Sequence, residues 1–105
     1  MTDIFGDFRR LIVAALDDLA VEGALPEGLD LARVAVEPPR DPTHGDLATN
    51  AAMVLAGSAK QNPMALAERI AAALGRHELI TGDYRGRGFT VAAARPGFLN
   101  IRLDP

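Results

Sequence analysis

The chain has 105 residues, of which 24% are charged and 49% hydrophobic, and it contains no cysteine. That is the composition of one folded domain, residues 1–105, with room for a single core but not for a large enzyme, and it excludes disulfides, thiolate zinc sites and cysteine nucleophiles. A net charge of −3 argues against indiscriminate nucleic-acid binding, because sequence-independent affinity comes from lysine and arginine neutralising phosphates.

The charge is unevenly spread. Residues 1–37 carry eight acids and three bases, residues 38–75 three of each, and residues 76–105 five arginines against three acids. Ile4, Phe8, Leu11, Ile12, Ala15, Leu16 and Leu19 recur at helical spacing, behind a cap at Thr2 or Asp3, and Gly23 ends that helix. Its longest apolar run, Leu11 to Leu16, is followed by Asp17 and Asp18, which fits neither a signal peptide nor a membrane span. Leu31 to Glu37 reads as a strand with Val34 and Val36 on its buried face, ended by Pro38-Pro39. From Leu47 the period is helical, with Leu47, Ala51, Val54, Leu55 and Ser58 on one side and Asp46 or Thr43 placed to cap it. Asn62-Pro63 starts another helix, whose stripe of Leu66, Ala67, Ile70, Ala71 and Leu74 stops at Gly75. Leu79 to Thr81 reads as a short strand and Gly82 to Gly88 as a glycine-rich loop. Phe89 to Ala94 and Phe98 to Leu103 read as strands joined by Arg95-Pro96-Gly97. The expected fold is α+β, with three helices on one face of a small, mostly antiparallel sheet of three or four strands.

Side chains alternate along a strand, so Leu99, Ile101 and Leu103 are expected to face the helices, leaving Phe98, Asn100 and Arg102 on the opposite face. A flat ring, an amide that both donates and accepts, and a planar cation suit a splayed-out nucleotide base and its phosphate. The same pattern is also that of an ordinary exposed strand face. The loop Pro38 to Asp46, with three prolines and a glycine, displays Asp41, Thr43, His44 and Asp46, either toward a ligand or simply as a turn and helix cap. No metal site is expected, because His44 and His77 stand far apart with no second ligand at useful spacing. Gly82 to Gly88 lacks the strand-to-helix context of a phosphate cradle, although Arg85 and Arg87 could touch phosphate. Ser58, the single serine, has no histidine at local spacing to activate it.

Glu37-Pro38-Pro39-Arg40-Asp41-Pro42-Thr43-His44-Gly45-Asp46-Leu47-Ala48-Thr49-Asn50-Ala51-Ala52-Met53 and Pro96-Gly97-Phe98-Leu99-Asn100-Ile101-Arg102-Leu103, taken together, resemble the N-terminal additional domain of arginyl-tRNA synthetases. The likeness covers essentially the whole chain. It implies a domain that packs on the outer corner of tRNA-Arg and reads a D-loop nucleotide, without performing the ligation. The family's reading residues carry over to Phe98 and Asn100, and those of the preceding loop to Asp41, His44 and Asp46. Arg102 and Arg95 are then expected as phosphate contacts. Arg95 stands where a glycine is expected before the Pro-Gly pair, and His44 where some members have an aromatic. The family's catalytic domain, which would use ATP and magnesium in an AMP-forming arginine–tRNA ligation, is not in this chain. The resemblance therefore implies a cytoplasmic ligase as parent, with tRNA-Arg and the catalytic domain as partners, and no membrane, metal or cofactor for this domain. Two other classes remain open on the residues alone. One is a freestanding protein-interaction module that uses the exposed strand face or a sheet edge; the other is a small enzyme, for which no nucleophile, base or cofactor loop has a plausible neighbour and which would need a deep pocket lined by carboxylates and His44.

Overall fold

The computed structural model describes residues 4–39, 41, 43, 45–76 and 88–103. The apolar stripe of the first segment forms α1 (Ile4–Val21), which buries Phe8, Ile12, Ala15, Leu16 and Leu19. The chain leaves α1 through Gly23 and reaches the sheet in a turn rather than a long strand. Val34 N–H donates to the Leu31 carbonyl at 3.1 Å. Arg9 on α1 holds the turn, donating from Nε to the Val34 carbonyl at 3.0 Å and from Nη2 to the Leu31 carbonyl at 2.8 Å. The strand expected over 31–37 is thus reduced to β1 (Val36–Glu37), since the Leu31 to Val34 backbone is committed to the turn and to Arg9. Val34 is buried and Val36 half-buried, as expected.

A larger correction concerns residues 47–49, which form β2 (Leu47–Thr49) and not the start of a helix. Non-local bonds override the local period. Asp46 N–H donates to the Ile101 carbonyl at 2.8 Å, and the Asp46 carboxylate accepts from Leu103 N–H at 2.7 Å. Neither Asp46 nor Thr43 caps a helix: the Thr43 hydroxyl donates to Asp41 at 2.7 Å. The helix α2 (Ala51–Ala59) starts after Asn50 and buries Ala51, Ala52, Leu55, Ala56 and Ala59, so Ser58 lies exposed, outside the buried stripe. The Asn50 side chain accepts from Ala35 N–H at 2.9 Å and donates to the Arg33 carbonyl at 3.2 Å, tying the 33–35 turn to the β2–α2 junction.

Asn62 caps α3 (Pro63–Arg76) as its sequence requires, accepting from Met64 N–H at 2.9 Å and Ala65 N–H at 3.3 Å, with Pro63 in the first turn. On α3, Leu66, Ala67, Ile70, Ala73 and Leu74 are buried, and the helix packs against α1, α2 and the hairpin strands. Those strands are β3 (Phe89–Ala94) and β4 (Phe98–Leu103), with the boundaries read from the sequence. The strand expected at Leu79 to Thr81 and most of the Gly82 to Gly88 loop lie outside the described residues. All pairings in the four-stranded sheet are antiparallel, in the order β1-β2-β4-β3. The helices cover one face of it, so the α+β architecture holds. Phe8 and Phe89 meet edge to face with ring centroids 5.3 Å apart, joining α1 to the hairpin.

Two glycines are demanded by close approach. A Cβ on Gly45, at φ +149°, would lie 2.7 Å from the Ile101 carbonyl oxygen, and one on Gly97, at φ +156°, would lie 2.7 Å from Pro63 Cβ. Gly45→Ala is therefore expected to destabilise the domain by roughly 2–4 kcal/mol in urea unfolding, because the obstructing atom is backbone in the middle of the sheet. Gly57, exposed on α2 with open space where a Cβ would go, has the opposite expectation. Gly57→Ala should stabilise by about 0.5–1 kcal/mol in the same measurement.

Candidate nucleic-acid interface

The sheet has one covered and one open face, and β4 shows the division most clearly. Leu99 and Ile101 are 0% exposed and Leu103 7%, whereas Phe98 is 37% exposed, Asn100 half-buried and Arg102 exposed. The register fixes their neighbours. Asn100 stands between Ala48 on β2 and Ala92 on β3, Phe98 beside Ala94, and Arg102 beside Thr90. Glu37 on β1 pairs with Ala48, so one row across the sheet reads Glu37, Ala48, Asn100, Ala92. Methyl groups on both sides of Asn100 leave its amide standing above a low floor. Ala48, Ala92 and Glu37 were not singled out from sequence, although the Thr90, Ala92, Ala94 alternation on β3 carried the signal for a flat face.

The other expected site residues are held differently. The Arg102 guanidinium donates to the Thr43 carbonyl, so this arginine reaches over the 41–46 loop at the Leu103 end of β4. Asp41 shapes the same loop by accepting from Thr43 N–H at 2.9 Å and from the Thr43 hydroxyl at 2.7 Å. Asp46 is exposed, yet its carboxylate is engaged with Leu103 N–H. Arg95 is exposed in the β3–β4 turn, next to the cis peptide that joins it to Pro96. His44, Arg85, Arg87 and His77 lie outside the described residues. The structure therefore gathers Phe98, Asn100 and Arg102 on one strand face, with Arg95 at its Phe98 end and Asp41 and Asp46 at its Arg102 end. Asp41 and Asp46 act as loop-shaping groups there.

The chemistry available on this face is recognition. A ring offers stacking, an amide with no hydrogen-bond partner among the described residues offers a donor and an acceptor, and two arginines offer phosphate contacts. Among the described residues no group of three His, Cys, Asp or Glu side chains gathers to hold a metal, and no helix is long and apolar enough to cross a membrane. An open cleft of about 250 Å³ between α1 and α3 is lined by Asp18, Val21, Glu22 and Ala73, away from the open sheet face.

The sequence profile of the family described as "Arginyl tRNA synthetase N terminal domain" matches residues 6–103. An arginine–tRNA ligase of Parvibaculum lavamentivorans is 54% identical over 103 residues, which is 98% of this chain and 16% of that protein. One from Methylobacterium nodulans is 55% identical over 103 residues, with the same shares. One from a Ruegeria species is 52% identical over 102 residues, 97% of this chain and 16% of the relative. The chain thus spans about 16% of the length of these ligases. With the profile covering nearly every residue and relatives this similar, the chain belongs to the arginyl-tRNA synthetase N-terminal domain family.

Proposed function

We propose that this chain is the tRNA-recognition domain of an arginine–tRNA ligase and that the open face of its sheet reads a base in the D-loop of tRNA-Arg. The observation that carries the reading is Phe98, 37% exposed, beside Ala94 and on the same face as Asn100 and Arg102. A ring that size is ordinarily buried, and a base laid on it removes apolar surface from water while Asn100 meets the base edge. Arg95 and Arg102 approach the phosphates on either side. Family membership and the names of the relatives supply the partner class.

The domain acts by positioning. The ligation, with its ATP and magnesium, belongs to the parent's catalytic domain, and no residue described here takes a step in it. The net charge of −3 fits this division, because one local contact needs a few arginines rather than a basic surface. Translation places such a ligase in the cytoplasm.

In the full-length ligase, Phe98→Ala should raise KM for tRNA-Arg by about tenfold, in line with the roughly 1–3 kcal/mol carried by one base–aromatic stack. Arginine and ATP affinity, measured by calorimetry without tRNA, should stay within about twofold, and the melting temperature should not fall, since the ring lies outside the core. An unchanged KM for tRNA would overturn the assignment.

A further inference from the structure

Glu37 ends the two-residue strand β1 and is exposed. Its strand neighbour Val36 packs against the core, so alternation turns Glu37 to the open face. Its register partner there is Ala48, and Ala48 in turn pairs with Asn100. With strands about 4.8 Å apart, the Glu37 and Asn100 backbones are separated by roughly 10 Å, and the residue between them contributes a single methyl. The result is a slot with a low floor, walled on one side by a carboxylate and on the other by an amide. Neither Glu37 nor Asn100 has a side-chain hydrogen-bond partner among the described residues.

Resting on the reading of this face as a base-binding surface, we infer that Glu37 is a specificity-determining residue for the base, selecting one whose edge presents an exocyclic amino group. The two walls differ in kind. Asn100 donates and accepts, so it accommodates many edges, whereas an ionised carboxylate accepts only. An amino group of adenine or cytosine facing Glu37 gains a charge-assisted hydrogen bond; a uracil carbonyl in the same place sets acceptor against acceptor. Charge also orients the nucleotide. Arg95 lies in the β3–β4 turn, while Glu37 occupies the β1 edge. The phosphodiester is drawn to the hairpin side and repelled from the β1 side, which turns the base edge toward Glu37.

The test uses the full-length ligase and tRNA-Arg transcripts in which single-stranded D-loop bases are replaced one at a time by adenine, cytosine or uracil. The base that is read is the position whose replacement changes kcat/KM in the wild type but not in Phe98→Ala. At that position the wild type should favour an amino-bearing base over uracil, and Glu37→Gln should cut that preference by about tenfold. Glutamine keeps the size of the side chain and adds an N–H that donates to the uracil carbonyl, so folding should not change. If a Phe98-dependent position is found and Glu37→Gln leaves its preference as in the wild type, or if the wild type prefers uracil there, the role of Glu37 is overturned while the base-reading face stands. If no position depends on Phe98, the face itself is not a base reader and the role of Glu37 falls with it.

Discussion

β4 is hydrogen-bonded along both edges, to β2 on one side and β3 on the other, and a strand held that way cannot rotate about its axis. Its two-residue period therefore decides two things together. Leu99, Ile101 and Leu103 enter the core, each fully buried aliphatic side chain contributing roughly 1.5–3 kcal/mol. Phe98, Asn100 and Arg102 are forced outward by the same geometry. A slip of one residue in register would bury an arginine and an amide and expose three aliphatic side chains. The alternation that packs the core is thus also what presents the open face.

What secures the register is a set of contacts between the Gly45-Asp46 pair and the end of β4. Gly45 lets the backbone pass against the Ile101 carbonyl, and Asp46 spans the gap with one backbone and one side-chain hydrogen bond. A carboxylate that satisfies a strand-end N–H replaces a ladder partner that β2 is too short to supply. Thr43 is tied to the same end of β4, with Arg102 reaching back to its carbonyl.

Most of the fold was legible because its signals are local. The stripe of α1, the Asn62-Pro63 cap of α3 and the alternation of β3 and β4 each lie within one short window of sequence. β2 was not, because Leu47-Ala48-Thr49 runs directly into a helical alanine stretch, and the bonds that make it a strand join Asp46 to Leu103, 57 residues away. The same distance hid the role of the Asp46 carboxylate, which looks like a cap in sequence and serves as a ladder partner in space. The strand expected over 31–37 failed for a related reason, as its carbonyls are claimed by Arg9 from α1. Of the open sheet face, the β4 residues were readable from alternation alone, whereas Glu37 and Ala48 joined their row only once the strand order was known.

The strand order has a further consequence for how the domain comes together. The β3–β4 hairpin is local, but the row Glu37, Ala48, Asn100, Ala92 joins strands more than forty residues apart in sequence and so depends on non-local closure. The full face is therefore absent from the hairpin alone and from any partly closed chain. A partner that needs the whole row discriminates between closed and unclosed domains, and by mass action its binding holds β1 and β2 against the hairpin.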